Sequence, residues 1–249
     1  MSKQRKLSYL FSILWVAILF AAIMGAVATG VINSYYSGIL VLIGINIILA
    51  VSLNLVTGFL GQLVLGHAGF MSVGAYSAAL FTMHAGLPIS VAFPLGLIFG
   101  GLVAAIFGVI IGVPALRLRG DYLAIITLGF GEIIRVLVLA VDFTGGAAGL
   151  TGIPYIEGKY TLIIYTFFAI LAFIRSRHGR AVIAIREDEI AAEASGINTT
   201  YYKLLAFVVA AFFAGVAGGI YAHYIGVLDP SKFDFNYSVE ILIMVVLGG

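Results

Sequence analysis

Residues Ile89–Val113 read ISVAFPLGLIFGGLVAAIFGVIIGV, a run of 25 residues without a charged side chain. A helix that crosses the hydrocarbon core of a bilayer needs about 20 consecutive, mainly apolar residues. This stretch is therefore typical of a membrane-spanning helix, and it decides the class of fold.

The composition of the whole chain agrees with this stretch. Of its 249 residues, 62% are hydrophobic and 10% are charged, whereas soluble domains carry about 25% charged residues. A soluble fold could not cover so much apolar surface, but a bilayer removes that difficulty. The chain has no cysteine, which excludes disulfides, thiolate metal sites and cysteine nucleophiles. Its net charge is +2, and the sequence has no basic run that would indicate nucleic-acid binding.

Seven segments reach or approach the length of a membrane span, and an eighth begins near Ser238. The seven are Leu7–Val27, Gly38–Val56, Gln62–His84, Ile89–Val113, Tyr122–Val141, Tyr160–Ile174 and Leu204–Val227. A signal peptide is the alternative for the first, but its apolar run exceeds the usual core of about 7–15 residues. The predicted fold is an all-α, polytopic bundle of about seven or eight transmembrane helices.

The basic residues are distributed unevenly if the segments alternate across the bilayer and the N-terminus lies inside. Two of the 13 Lys and Arg residues, Lys159 and Lys232, then fall outside, and Arg135 lies within a helix. The other ten fall inside: Lys3, Arg5, Lys6, Arg117, Arg119, Arg175, Arg177, Arg180, Arg186 and Lys203. Cytoplasmic loops carry an excess of Lys and Arg, so the pattern predicts a cytoplasmic N-terminus.

The longest polar stretch, about residues 175–203, lies inside and contains REDEIAAEASG at Arg186–Gly196. Acidic residues at its start suit the positive end of a helix dipole, and Gly196 suits a helix C-terminus. The pattern predicts a cytoplasmic helix of about two to three turns that docks on a soluble partner. An ordinary solvated loop is the alternative. The candidate docking residues are Arg186, Glu187, Asp188, Glu189, Ala191, Ala192, Glu193, Ser195 and Gly196.

Polar residues also occur within the apolar segments. The stretch Gly58–Tyr76 combines five glycines with Gln62, His67 and Ser72, although an unsatisfied polar group in hydrocarbon costs several kcal/mol. Dense glycine lets helices pack closely, or lets a helix break beside a cavity. We interpret Gln62, His67, Ser72 and Tyr76 as candidates that line a translocation route. Helix packing, with Gln62 and His67 as interhelical hydrogen-bonding groups, explains the pattern equally well.

Glu132 and Arg135 fall within the fifth apolar segment. Charges inside a membrane usually face protein or water and pair with one another, and a spacing of three residues allows a pair on one helix face. A structural ion pair is one interpretation. Contact with a zwitterionic solute or a role in gating is another, and a position near the membrane interface is a third. No cluster of residues suggests a metal site or a catalytic site.

Several segments, in order along the chain, resemble one family of transport proteins. They are Leu55–Tyr76, Gly120–Arg135, Thr144–Pro154, Gly179–Ala181 and the ending Val245–Gly249. Together they resemble the LivM type of branched-chain amino acid permeases among the ABC importers, over about residues 40–249. Urea-type permeases of the same family share much of this pattern.

The coupling loop of ABC importer permeases, the EAA loop, is similar to part of the polar stretch. Ala191, Ala192 and Gly196 occupy matching places. The place of the glutamate is taken by Ile190, with Glu189 one residue earlier.

The resemblance implies a single permease domain over residues 1–249, in a prokaryotic plasma (inner) membrane. It implies a LivH-like second permease subunit, two cytoplasmic ATPase subunits that dock on the loop at about 175–203, and an extracytoplasmic solute-binding protein. ATP would be used by those ATPases. This chain has no phosphate-binding Gly-x-x-x-x-Gly-Lys-[Ser/Thr] motif, and we expect it to bind no cofactor and to be no enzyme.

Related permeases continue beyond the ending motif, so we expect a chain truncated at its C-terminus. The predicted substrates are branched-chain or related amino acids. A urea or amide permease of the same family is an alternative, and so is a secondary transporter or channel that works without an ATPase.

Overall fold

The structure is a computed structural model that describes residues 33–118, 120–156 and 160–248, together with Gly25 and Thr29. The predicted first helix falls almost wholly outside the described residues. So do five of the basic residues that support the predicted orientation, Lys3, Arg5, Lys6, Arg119 and Lys159. Contacts divide the chain into residues 1–43 and residues 44–249. In the first part, the Asn33 side-chain oxygen accepts the Tyr36 N–H at 3.1 Å, which starts a helix.

The described residues are almost entirely helical and contain no named strand, which confirms the all-α class. They form nine α-helices: α1 Ser34–Thr57, α2 His67–His84, α3 Ile89–Ala115, α4 Asp121–Ala140, α5 Tyr160–Arg175, α6 Arg177–Glu187, α7 Glu189–Ala194, α8 Thr199–Ile225 and α9 Phe235–Gly248. Two loops on one side of the bundle are joined by an isolated bridge, in which Leu150 and Leu228 exchange hydrogen bonds of 2.9 Å.

Four helices of the described part are long and apolar enough to cross a membrane: Tyr35–Thr57 of α1, and α3, α4 and α8. The pair Leu162–Arg175 and Arg177–Glu187, bent by 62°, makes a fifth if it is one span, and α9 is apolar but shorter. The chain is thus a polytopic membrane protein, while the predicted count of seven or eight spans stays a prediction. α8 begins before the predicted Leu204 because the Asn198 side chain caps it, accepting the Tyr201 N–H at 3.0 Å.

Helices α2, α3 and α8 pack through glycines that bring their backbones into contact. A Cβ atom at Gly74 of α2 would overlap the backbone of Gly215 in α8, and one at Gly218 would overlap the Met71 carbonyl oxygen. A Cβ atom at Gly100 of α3 would lie 2.6 Å from the Gly74 carbonyl oxygen. Without glycine at these positions the three helices could not approach so closely.

Helix α4 packs against this group mainly through α2, most closely beside the start of that helix. A Cβ atom at Gly66 would overlap the Thr127 carbonyl oxygen, and one at Gly69 would lie 2.9 Å from the Gly131 Cα atom. Much of α4 is exposed, including Ile125, which has 63% of its surface accessible. This places α4 at the edge of the bundle, with one face open to lipid or to another protein.

Candidate coupling and translocation sites

A break in helical structure separates α1 from α2. Residues 61–66 are not helical, and Gly61 has the left-handed backbone angle φ of +76°, which glycine adopts without strain. The predicted span Gln62–His84 is therefore wrong at its start, because α2 begins only at His67. Non-helical backbone at membrane depth needs partners within the protein, and the Leu65 N–H finds one in the Thr127 hydroxyl at 3.1 Å.

His67 stands at the start of α2 and is fully buried. Its Nε2 atom lies 2.9 Å from the Ser52 hydroxyl of α1, and the same hydroxyl donates to the Leu49 carbonyl at 3.0 Å. The next residue, Ala68, donates its N–H to the Ser238 hydroxyl of α9 at 3.3 Å. The start of α2 is thus hydrogen-bonded to two neighbouring helices. This arrangement agrees with the interpretation of His67 as an interhelical hydrogen-bonding group.

Within the described residues, the other candidate polar residues of this region make no hydrogen bond to His67. Tyr76 donates its hydroxyl to the Leu228 carbonyl at 3.2 Å, near the loop bridge. Gln62 Oε1 and Ser72 Oγ are buried and have no hydrogen-bond partner among the described residues. An unpaired buried polar atom costs about 1–3 kcal/mol. Each of these two atoms can therefore still form a hydrogen bond with another group. A role in translocation stays a prediction for all four residues.

Glu132 and Arg135 form an ion pair on α4, with Arg135 Nε 2.7 Å from Glu132 Oε2. Their side chains are 29% exposed for Arg135 and 35% exposed for Glu132, so the pair lies at the edge of the bundle. Glu132 also lines a narrow crevice between α2, α4 and the start of α9, together with Gly69 and Ser238. Sequence reasoning missed Ser238 as a site residue, since a lone serine at the start of an apolar segment gives no signal.

The polar stretch on residues 175–203 folds into α6 and α7. The Ser176 side chain caps α6 by accepting the His178 and Gly179 N–H groups, and the Asp188 carboxylate caps α7 by accepting the Ile190 and Ala191 N–H groups at 2.9 and 3.0 Å. The helix predicted near Arg186–Gly196 is present, but it is shorter than predicted. Arg186 and Glu187 belong to α6, because Asp188 has extended backbone angles that separate the two helices.

Helix α7 ends as predicted. Gly196 has φ of +85°, and the Ile197 N–H donates to the Ala192 carbonyl at 3.1 Å, which closes the helix with a common glycine motif. Ala192 packs inward, whereas Ile190 is 82% exposed. Ala191, Glu193 and Ser195 are also exposed. The outer face of α7 is therefore exposed, and Ile190 is its one large apolar side chain.

Two contacts connect this loop to the membrane helices. Lys203 of α8 is nearly buried and places its Nζ atom 2.6 Å from Glu189 Oε1 at the start of α7. Arg186 of α6 lies against the break before α2, since a Cβ atom at Gly61 would be 3.2 Å from its Cγ atom. From the sequence, Lys203 is predicted only to lie on the inside. Its partner Glu189 is fourteen residues earlier, so no local spacing rule predicts the pair.

The helices and their loops define a multi-pass membrane protein. The chain belongs to the family described as "Branched-chain amino acid transport system / permease component", whose model matches residues 35–249.

Three curated relatives place the chain further within this family. It is 39% identical over 243 residues to "High-affinity branched-chain amino acid transport system permease protein LivM" of Salmonella typhimurium, a match that covers 82% of this chain and 56% of that protein. It is 26% identical over 188 residues to "Nucleoside ABC transporter permease protein NupC" of Lactococcus lactis, with 65% and 59% covered. It is 42% identical over 90 residues to the LivH permease protein of Escherichia coli, with 34% and 29% covered.

The chain spans about half the length of the LivM protein that it matches. No solved structure matches it.

Proposed function

We propose that this chain is a membrane permease subunit of an ATP-driven importer for branched-chain or related amino acids. The observation that carries the proposal is helix α7, which is capped at both ends, exposed on its outer face and paired through Glu189 with Lys203 of α8. A short exposed helix tied to a membrane helix can pass the movement of a docked partner into the bilayer. Family membership and the likeness to LivM support the amino-acid substrate.

The proposed topology places the N-terminus inside, with seven or eight spans in a prokaryotic inner membrane. The end of α3, the start of α7 and the start of α8 support it, because Arg117, Glu189 and Lys203 line one common cleft. These residues all belong to the predicted inside loops. The charge asymmetry and the positive-inside rule support a cytoplasmic location for this side.

The proposed mechanism is alternating access driven by ATPase subunits that dock on α7. Movement of the loop would reach α8 through the Glu189–Lys203 pair. It would reach the break before α2 through Arg186, which lies against Gly61. ATP binding and hydrolysis belong to those partners, and this chain supplies no catalytic residue.

The proposed solute route follows the exposed face of α4. Charged side chains within a membrane face protein or water rather than lipid, so the partly exposed Glu132–Arg135 pair needs protein or water beside it. A LivH-like second permease that covers this face would enclose the pair, and an external binding protein would deliver the solute. The apolar helix faces suit Leu, Ile and Val side chains, while polar groups and helix ends meet the ammonium and carboxylate groups.

Coexpression with the candidate ATPase subunits tests this function. Ile190→Asp replaces the large apolar side chain of the exposed α7 face with a charge and should abolish both copurification of the ATPases and uptake of labelled leucine. Phe143→Asp is the matched control, because Phe143 is also an exposed large apolar residue but lies at the far end of α4. Deletion of Ile190–Gly196 should likewise uncouple the ATPases without preventing membrane insertion. Normal uptake after both changes would contradict the proposed coupling.

A further inference from the structure

A cleft of about 390 Å³ opens where α3 ends and α8 begins. Its charged side chains are Arg117, Glu189 and Lys203. Lys203 and Glu189 neutralise each other at 2.6 Å. Within the described residues, the Arg117 side chain has neither an ion-pair partner nor a hydrogen-bond partner, so the cleft carries one uncompensated positive charge.

The cleft continues into an apolar track on the outer face of α3. Ile106, Val109, Ile110 and Val113 are spaced to share one helix face, and all four are exposed. Val113 belongs to this face and also lines the cleft. A ligand at this place therefore meets a cationic pocket at one end and lipid-facing helix surface at the other.

We propose that the cleft binds an anionic phospholipid from the leaflet on the side of the coupling loop. Arg117 and Lys203 donate to the phosphate oxygens, and the Thr200 hydroxyl, which lines the same cleft, donates to the headgroup. An acyl chain lies along the exposed face of α3. Basic pockets between membrane helices bind anionic headgroups in this way, and one phosphodiester charge balances the charge of Arg117.

The geometry also assigns an opposing role to Glu189. Its carboxylate lies in the cleft beside Lys203, where it repels a phosphate and competes with it for the lysine. Removal of that carboxylate should therefore tighten lipid binding. If the cleft had only a structural role, removal of the Glu189 carboxylate would not be expected to increase lipid binding.

The test measures lipid retention and needs neither ATPase nor transport, so its outcome is independent of the proposed function. The purified full chain is placed in nanodiscs of phosphatidylglycerol and phosphatidylcholine in equal amounts. Native mass spectrometry then counts each retained lipid. Arg117→Gln should lower the retention of phosphatidylglycerol relative to phosphatidylcholine about fivefold, Arg117→Lys should restore most of it, and Glu189→Gln should raise it.

Arg177→Gln is the matched control, because Arg177 is an exposed arginine of the basic loop at about residues 175–203 and lies outside the cleft. An equal loss in this variant would mean general attraction of the basic loop, and the proposal would be abandoned. A second arm uses nanodiscs of phosphatidylcholine alone with inorganic phosphate in solution. If phosphate binds there with the same dependence on Arg117 and displaces phosphatidylglycerol from mixed nanodiscs, the ligand is a free anion and the lipid assignment is overturned. Unchanged retention in Arg117→Gln overturns the proposal altogether.

Discussion

Helices α8 and α4 are both charge-poor spans of almost equal apolar character, yet they are buried to very different extents. In the most apolar part of α8, 67% of the residues are buried, against 22% in α4. A Cβ atom added at Gly215, Gly218 or Gly219 of α8 would meet a neighbouring helix, whereas one added at Gly129 of α4 would have no other element within 4 Å.

The difference shows that apolar character and burial are separate properties in a membrane protein. Lipid is as apolar as the protein interior, so hydrophobicity gives no reason for one span to be central. A span becomes central when its backbone can approach neighbouring backbones closely, and this depends on the positions of its glycines. The comparison predicts that substitutions of the same type will have large effects in α8 and small effects in α4.

The largest contrast is expected between Ile220→Ala in α8 and Ile133→Ala in α4. Ile220 is completely buried, so its truncation leaves a cavity and should lower the free energy of unfolding by about 2–5 kcal/mol. Ile133 is 52% exposed, and detergent or lipid fills the space that its truncation leaves, so little change is expected. Unfolding of the purified chain by sodium dodecyl sulfate measures both. Equal losses would remove the distinction between the two helices.

A second contrast sets Gly218→Ala against Gly129→Ala. The added methyl group in α8 would overlap the Met71 carbonyl oxygen, and such overpacking costs about 1–3 kcal/mol. In α4 the methyl group meets open space, and alanine is the better helix former by about 1 kcal/mol. Thermal unfolding should therefore show opposite signs for the two variants. A stabilised Gly218→Ala protein would show that the backbones of α2 and α8 are not in contact.

The smallest contrast concerns α7, which the Glu189–Lys203 ion pair connects to α8. Glu189→Gln leaves Lys203 nearly buried without its counter-charge, and the loss of a hydrogen bond between charged groups costs about 1.5–3 kcal/mol, less here because Glu189 is partly exposed. Amide hydrogen exchange in Ala191–Ala194 should accelerate. Glu193→Gln is the control, since it removes the same charge from an exposed position on the same helix. Acceleration in both variants would point to a general effect of charge on α7.

Much of the fold could be predicted because its signals are local. Long uncharged runs such as Ile89–Val113 identify spans, and Gly196 marks the end of α7 through its backbone conformation. The start of α7 was misplaced because hydropathy and acidic composition do not reveal which of several acidic residues, here Asp188, is the cap.

The parts of the site that could not be predicted depend on contacts between distant residues. In the break before α2, the Leu65 N–H donates to the Thr127 hydroxyl, which is 62 residues further along the sequence. By contrast, Glu132 and Arg135 are only three positions apart, and their spacing allows the ion pair that the structure contains. The pairing of Lys203 with Glu189 joins two helices across a turn, and no periodicity in the chain indicates it.

The glycine contacts among α2, α3 and α8 have a mechanical consequence. Where backbone touches backbone, no side chain remains that could change its rotamer and absorb a displacement, so we expect the three helices to move as one stiff body. The compliance that the proposed alternating access needs would then reside elsewhere in the described part of the chain. The non-helical residues 61–66 and the 62° bend at Ser176 are its natural hinges.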